Sequence, residues 1–157
     1  MKFKYVLYGI LAIVLVRSTM DILNSKQYKT IIYKIKAIYP TLVQISPSLV
    51  LGFIDAESSF NPVAKSPAGA LGLMQLLPDT YSWILNMKGI TPMGITDPES
   101  NITAGMFYYK WILDQGYDGF TAIQMYNTGI NGYKNKGYRA IDYATKVSIN
   151  SVKYMFV

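Results

Sequence analysis

The sequence has neither cysteine nor histidine among its 157 residues. Without cysteine the chain can form no disulfide and no thiolate metal site. Without histidine it lacks the base of Ser–His and Cys–His nucleophilic catalysis and the commonest metal ligand in proteins. An enzyme of this composition must work with carboxylates, amides, hydroxyls and lysines, and we expect it to use no metal and no cofactor.

Acidic residues are also few, with nine aspartates and glutamates against fifteen lysines and arginines and a formal net charge of +6. Such a charge attracts polyanions. No basic helix with interleaved aromatic residues and no nucleic-acid-binding motif is present, so nucleic acid is not an expected partner. An anionic cell wall or lipid surface accounts for the charge equally well. The length suits one domain with a real core and is too short for two domains of ordinary size.

The N-terminus combines a short basic start at residues 2–4 with an apolar run at residues 5–16. This run is shorter than the roughly 20 residues that a straight helix needs to cross a bilayer. The pattern is typical of an export signal. No clear pair of small residues marks a cleavage site, so an uncleaved anchor stays open. We therefore predict a signal peptide or membrane anchor at residues 1–23 and one domain at residues 24–157, placed in the periplasm or cell envelope.

The rest of the chain has apolar residues at helical spacing and no convincing strand pattern, which predicts a predominantly helical, all-α domain. Asp97 and Asp118 are suited to cap two of the helices. The predicted helices cover residues 28–38, 46–57, 97–115 and 120–126 and begin near residues 78 and 140, with a glycine-rich loop at 129–137 and a small irregular hairpin near 69–72.

One helix ends on an acidic residue, Glu57. Ser46 is a suitable N-cap for this helix, and Pro47 suits its first position. Within the helix Glu57 stacks on Phe53 and Ile54, four and three residues earlier. A lone carboxylate against an apolar face has a raised pKa, because burial disfavours its charged form. The pattern therefore predicts that Glu57 is protonated near neutral pH and serves as a general acid, although an isolated glutamate at a helix end is often only structural.

The loop after Glu57 favours the functional interpretation. Gly69 and Gly72 let the backbone turn tightly or approach a ligand closely. Ser66 and Gln75 place short hydrogen-bonding groups on either side of them, and a purely structural loop has no evident need for Gln75. The motifs ESSFNP at residues 57–62, SPAGALGLMQ at residues 66–75 and YNTG at residues 126–129 resemble the soluble lytic transglycosylase family. The resemblance runs from about residue 35 to residue 147, with the motifs in the family's order.

The resemblance implies a lysozyme-like fold, related to goose-type lysozymes, and cleavage of peptidoglycan glycan strands. It also implies that the segment with Asn101 and Gly105 packs behind the active site, so we expect both residues to be structural and Gly105 to allow a close helix contact. In that family one glutamate performs both proton transfers, whereas glycosidases usually use two carboxylates. Carried over, Glu57 protonates the oxygen that leaves C1 of N-acetylmuramic acid and then accepts a proton from the C6 hydroxyl of the same sugar. The product is a 1,6-anhydro sugar. A single carboxylate fits this chain, because Asp55 lies two residues from Glu57 and must point elsewhere.

The resemblance also implies the substrate-binding residues. Ser66 and Gln75 match positions that bind the acetamido region. Tyr126 matches a tyrosine whose hydroxyl reaches the glutamate or the acetamido group, although a core aromatic is the plain alternative. Asn127 either contacts sugar or holds its loop by bonds to the backbone. Tyr143 matches the tyrosine of the last motif. The acidic residue that often precedes that tyrosine is either missing, with Arg139 near its position, or displaced to Asp142, which leaves the far end of the groove open.

Two alternatives remain at this point. The first is a lysozyme-type hydrolase on the same fold, which would release reducing-end products. The second is a wall-binding structural component of a secretion system, pilus or phage particle, with the fold kept and activity minor. The joint presence of Glu57, Ser66, Gln75 and Tyr126 argues against lost activity and favours a peptidoglycan lytic transglycosylase.

Overall fold

In the computed structural model the described residues form seven α-helices and one short 3-10 turn, with no regular strand. The structure describes residues 19–157 in full, and for residues 2–18 only the helical backbone. The elements, in chain order, are α1 (Lys2–Ile38), the 3-10 turn (Pro40–Leu42), α2 (Pro47–Ser58), α3 (Pro78–Met87), α4 (Pro98–Leu113), α5 (Gly119–Thr128), α6 (Ile130–Asn135) and α7 (Ile141–Lys153).

The first helix is longer than the sequence indicated. We expected residues 24–27 to separate the N-terminal segment from a helix at residues 28–38, but α1 runs through them without a break. No proline or glycine occurs between residues 10 and 38 to interrupt it. Tyr28, Ile32 and Ile35 are buried against the core. Most of the predicted export segment lies outside the residues whose side chains are described. No helix in the described part of the chain has the length and apolar character that a membrane crossing requires.

Helix α4 forms the centre of the domain and is buried along most of its length. Helices α1, α3 and α5 pack around it, while α2 packs mainly against α7. Asp97 caps α4 through a hydrogen bond from Ser100 N, and Asp118 caps α5 through one from Thr121 N, as predicted. These caps fix where each helix begins.

The segment at residues 129–137 is not the plain glycine-rich loop that we expected. Residues 130–135 form the short helix α6. Gly129 and Gly137 flank it with positive φ angles of 69°, so the glycines serve as its boundaries. A helix of six residues has too few apolar positions to show a helical period in sequence.

Candidate active site

Glu57 lies in the last turn of α2. The Ser46 hydroxyl accepts a hydrogen bond from Leu49 N at the start of this helix, and Pro47 occupies its first position, both as predicted. Phe53 and Ile54 are fully buried beneath the carboxyl-bearing end. The helix ends at Ser59, whose left-handed φ of 49° turns the chain away into the following loop.

The environment of Glu57 raises its pKa from an ordinary 4.5 to about 7. Burial is the main cause, because it disfavours the charged carboxylate. A hydrogen bond from Tyr143 and the positive charge of Lys146 act in the opposite direction and limit the rise. The direction of the shift agrees with the sequence prediction, and a carboxyl with this pKa is substantially protonated at neutral pH.

Tyr143, in the first turn of α7, is the direct partner of Glu57. Its hydroxyl donates a hydrogen bond of 2.5 Å to Glu57 Oε1. One turn further along α7, Lys146 Nζ donates to the Ala56 carbonyl at 2.9 Å. The sequence pattern associated Tyr143 with the far end of the groove, whereas the structure places it against the carboxyl group. The Tyr143 bond orients the Glu57 carboxyl group, while Lys146 ties α7 to the backbone of α2 next to it.

The residues near the missing acidic position of the last motif have other roles. Arg139 Nη1 donates to the carbonyls of Tyr133 and Tyr138, and its guanidinium lies 3.9 Å from the centroid of the Tyr133 ring. Asp142 is exposed in the first turn of α7. Arg139 therefore closes the segment between α6 and α7.

Asp55 points away from the site, as predicted. Its Oδ2 accepts a hydrogen bond of 2.8 Å from the Tyr154 hydroxyl and lies 3.5 Å from Lys153 Nζ. This carboxylate therefore stabilises the packing of α2 against the C-terminal end of α7 and is not available to act beside Glu57.

The loop between α2 and α3 forms one side of the site. Its irregular hairpin, predicted near residues 69–72, consists of isolated bridges that pair Leu71 with both Lys65 and Leu76. Ser66 Oγ accepts a hydrogen bond of 3.1 Å from Ala70 N and so closes the turn.

Gln75 has a structural role that the sequence did not reveal. Its backbone has a positive φ of 46°. Its Nε2 donates to the carbonyls of Ala64 and Gly72 at 3.1 and 2.9 Å. The loop does need Gln75, contrary to our expectation, because these two bonds join its two arms. Gln75 also lines the cleft above Glu57.

Asn101, fully buried on α4, anchors the same loop. Its Oδ1 accepts a hydrogen bond of 2.8 Å from Met74 N, and its Nδ2 donates to the carbonyls of Ile95 and Leu71 at 2.7 and 3.1 Å. Gly105 lies one turn further along α4, and a Cβ there would be only 2.4 Å from Met74 Sδ. The structural interpretation of both residues is supported, with the difference that Gly105 accommodates the loop instead of another helix.

Tyr126 does not bond to Glu57. Its hydroxyl donates instead to the Met74 carbonyl at 2.9 Å. The buried ring packs against Phe53 and Tyr108, with centroid distances of 4.8 and 5.1 Å. Tyr126 thus joins α5 to the loop and to the base of α2. Its hydroxyl bond serves this packing, and its ring also lines the cleft.

Glu57 opens into a cleft of about 380 Å³. Ser66, Gln75, Tyr126 and Asn127 all line it, so the structure brings four predicted binding residues together with the predicted acid. Among the described residues that line this cleft, Glu57 is the only carboxylate. The cleft has the size and the mixture of apolar and polar groups that small-ligand sites show.

Thr80 and Tyr108 also line the cleft, although neither was among the predicted binding residues. The helical spacing of α4 separates Tyr108 from its neighbour Tyr109, which is buried in the core, but spacing alone does not say what Tyr108 faces. Asn127 is exposed, and within the described residues its side chain forms no hydrogen bond to the loop. The described residues also contain no group of three or more acidic side chains that could hold a metal ion.

Comparison with known proteins decides the family. The family model of the transglycosylase SLT domain matches residues 40–149, which is more than half of the chain. The chain belongs to the transglycosylase SLT domain family. The match covers α2 to α7 almost completely and includes every residue described above as lining the cleft.

Two relatives of this SLT domain are named membrane-bound lytic murein transglycosylase C. The protein from Haemophilus influenzae is 43% identical over 99 residues, which cover 54% of this chain and 28% of that protein. The protein from Actinobacillus pleuropneumoniae is 32% identical over 146 residues, which cover 82% of this chain and 39% of that protein. The chain therefore spans well under half the length of these relatives.

Solved structures agree on the fold. The 70 kDa soluble lytic transglycosylase from Escherichia coli matches with a TM-score of 0.61 and 25% identity, over 72% of this chain and 22% of that one. The predicted all-α, lysozyme-like fold is confirmed, without regular strands in the described part of the chain.

Proposed function

We propose that the chain is a peptidoglycan lytic transglycosylase in which Glu57 acts first as the general acid and then as the general base. The observation that carries the proposal is a single carboxyl group in the cleft, held by Tyr143, with a pKa raised to about 7. A catalytic acid–base group works best when its pKa lies near the operating pH.

The first step breaks the glycosidic bond between N-acetylmuramic acid and the next N-acetylglucosamine. Protonated Glu57 donates its proton to the bridging oxygen, the C1–O bond breaks, and the N-acetylglucosamine leaves with a new hydroxyl. The acetamido oxygen of the N-acetylmuramic acid stabilises the positive charge that develops at C1. Glu57 is left as a carboxylate.

The second step closes the ring without water. The Glu57 carboxylate accepts the proton of the C6 hydroxyl, and the C6 oxygen forms a new bond to C1. The product carries a 1,6-anhydro end, and Glu57 is protonated again for the next turnover. The Tyr143 hydrogen bond and the Lys146 charge stabilise the carboxylate in the interval between the two transfers, because both favour the charged form.

The absence of a second carboxylate in the described cleft lining supports this mechanism over a two-carboxylate one. Glycosidases that use two acidic residues need both side chains next to the scissile bond, one as the acid and the other as the nucleophile or base. Asp55 is the nearest acidic residue in sequence, and it is bound to Tyr154 on another face. We propose that Ser66, Gln75, Tyr126 and Asn127 contact the sugars, since all four line the cleft.

Three further observations support the proposed substrate and place of action. The relatives carry names that specify murein transglycosylases and membrane attachment. A related 70 kDa lytic transglycosylase has been solved in complex with bulgecin A. The net charge of +6 suits an anionic wall or membrane surface. We propose that the chain acts in the cell envelope on peptidoglycan strands, with its N-terminal segment at the membrane.

The proposal is tested by digesting purified peptidoglycan with the full chain and weighing the released muropeptides by mass spectrometry. The matched variants are Glu57→Gln and Glu99→Gln, which replace the two glutamates of the sequence in turn. Glu99 lies on the surface, paired with Lys34. We expect products lighter by one water than reducing-end muropeptides from the wild type and Glu99→Gln, and none from Glu57→Gln.

Three results would overturn the proposal. Reducing-end products from the wild type would make the chain a hydrolase of the lysozyme type. Binding of peptidoglycan without any release by the wild type would indicate a structural role. Undiminished release by Glu57→Gln would remove Glu57 from the chemistry.

A further inference from the structure

A row of four aromatic side chains leads outward from the cleft that contains Glu57. We call it the aromatic row, and it consists of Tyr126, Tyr108, Trp111 and Trp83. The ring centroids of Tyr126 and Tyr108 are 5.1 Å apart. Tyr108 stacks on Trp111 at 6.2 Å with an interplanar angle of 14°, and Trp111 meets Trp83 at 4.8 Å with an angle of 85°. The row thus joins buried Tyr126 to the surface of α3.

The outer part of the aromatic row borders a second cleft, of about 290 Å³. Trp83 and Trp111 line only this cleft, whereas Thr80, Tyr108 and Gly129 line both clefts. The two spaces are therefore neighbours that share a wall, and a linear ligand seated over Glu57 would continue past Tyr108 into the second cleft.

Trp83 is not needed to build the core. The residues of α3 that are buried in the domain are Tyr81, Ile84 and Leu85. Trp83 stands apart from that face and exposes 41% of its surface. Trp111 meets it in the perpendicular arrangement that aromatic pairs favour, and so holds the indole in place. An exposed large aromatic ring held rigidly beside a cleft is a common feature of binding sites.

We propose that Trp83, supported by Trp111, forms an additional glycan-binding subsite next to the catalytic cleft. Its ligand is a sugar ring of the same strand whose scissile bond lies above Glu57, so this inference rests on the proposed function. The faces of a pyranose present C–H groups, which pack against the electron-rich face of an indole. Thr80 and Asn131 border the same cleft and supply polar groups for the sugar's hydroxyl and acetamido groups.

The composition of the chain gives this subsite its own spectroscopic probe. Trp83 and Trp111 are the only two tryptophans in the sequence. Tryptophan fluorescence of the chain therefore reports on the proposed subsite and on nothing else. Combining Trp111→Phe with Glu57→Gln leaves Trp83 as the single tryptophan, with an aromatic ring still beside it, in a protein designed to bind strands without cleaving them.

The binding test titrates this double variant with glycan strands freed of peptide stems, while co-sedimentation with intact peptidoglycan measures binding independently. We expect the strands to shift the Trp83 emission and to reduce its quenching by acrylamide. Binding without either change would overturn the subsite and leave the proposed function standing. A response to peptide-bearing strands alone would also overturn it, because the ligand would then be a peptide. A failure to bind any strand would contradict the proposed function and, with it, the subsite.

The kinetic test compares Trp83→Ala with Tyr33→Ala, a change of an exposed aromatic residue on α1. For long strands we expect Trp83→Ala to raise KM about two- to tenfold, the range that the loss of one aromatic contact implies, with kcat unchanged. For fragments too short to extend from Glu57 to Trp83, we expect Trp83→Ala and the wild type to have the same KM and kcat. Equal KM values for wild type and Trp83→Ala on long strands, or an equal rise with short fragments, would overturn the proposal.

Discussion

Tyr143 donates a hydrogen bond of 2.5 Å to Glu57 Oε1 and so joins the first turn of α7 to the last turn of α2. These helices pack against each other, and at Gly52 the backbone of α7 leaves no room for a Cβ. The orientation of the proposed catalytic carboxyl group therefore depends on tertiary packing as well as on its own helix. This relationship leads to predictions about the pH dependence, the activity and the stability of the chain.

Replacing Tyr143 by phenylalanine should alter both the rate and its pH dependence. The Tyr143 hydrogen bond lowers the pKa of Glu57, so its loss should raise that pKa above about 7 and move the alkaline limb of the rate profile to higher pH. The rate should fall roughly ten- to a hundredfold, because the carboxyl group is less well oriented. The measurement is kcat against pH, with exposed Tyr138→Phe as the control. An alkaline limb at an unchanged pH would show that Tyr143 does not act on Glu57.

Glu57→Gln should stabilise the fold at alkaline pH. Below the ordinary pKa of 4.5, Glu57 is protonated and uncharged in both the folded and the unfolded chain, so its burial does not lower the free energy of unfolding. Between 4.5 and about 7 only the unfolded chain loses the proton, so the free energy of unfolding falls as the pH rises. The penalty reaches at most about 3 kcal/mol above that window.

The measurement is the free energy of unfolding in urea at about pH 4 and about pH 8. Glu57→Gln should exceed the wild type at the higher pH and match it at the lower one. Glu99→Gln is the control and should show no such gain. An equal difference at both pH values would indicate that Glu57 is not desolvated in the fold.

Asn101→Ala should destabilise the domain strongly. The substitution leaves Met74 N without its acceptor and the Ile95 carbonyl without its side-chain donor. The Leu71 carbonyl loses one of two donors and keeps Leu76 N. Unsatisfied groups of this kind cost about 1 to 3 kcal/mol each, so we expect a loss of about 2 kcal/mol or more in chemical denaturation. Asn86→Ala, at an exposed position on α3, should change stability little. A loss below about 1 kcal/mol would mean that another group anchors the loop.

Gly52→Ala should force α7 away from α2. A Cβ at this position would lie 2.7 Å from the Val147 carbonyl oxygen and 2.9 Å from Ser151 N, and these backbone atoms cannot move without moving the helix. We expect a loss of about 1 to 3 kcal/mol from overpacking, together with reduced activity as Tyr143 moves from Glu57. The sign of the change in stability is diagnostic, because a glycine-to-alanine substitution in a helix interior otherwise stabilises a protein by about 1 kcal/mol.

Gly119→Ala is the matched control for this prediction. Gly119 is the first residue of α5, and a Cβ there would meet only the Tyr109 hydroxyl, at 3.5 Å. Thermal unfolding of both variants should show a lowered midpoint for Gly52→Ala and little change for Gly119→Ala. Similar midpoints for the two variants would contradict the close approach of α2 and α7.

Local chemistry explains which parts of the fold could be predicted from sequence. The caps Ser46, Asp97 and Asp118 act on residues three positions later, so their effect is visible in the sequence itself. The raised pKa of Glu57 was also predictable, because Phe53 and Ile54 lie in the preceding turn of the same helix. Helix α6 was missed because its flanking glycines resemble those of a loop.

The contacts that complete the site depend on distant parts of the chain. Tyr143 is 86 residues from Glu57, and Tyr126 is 52 residues from Met74, whose carbonyl it binds. The sequence identified both tyrosines as site residues. It predicted Tyr126, and not Tyr143, as the residue whose hydroxyl reaches Glu57. The pairing of Trp83 with Trp111 joins two separate helices and leaves no local signal. Packing decides these partners, and packing is not encoded in any short stretch of sequence.

The most direct test of the account is the titration of Glu57 itself. The sequence contains only two glutamates, Glu57 and Glu99. Labelling glutamate with ¹³C at Cδ should therefore give two carboxyl resonances by NMR, and Glu57→Gln identifies one of them by its disappearance. We predict that this resonance titrates with a pKa of about 7. Titration near the ordinary 4.5 would show that Glu57 is ionised at neutral pH and would contradict its role as the general acid.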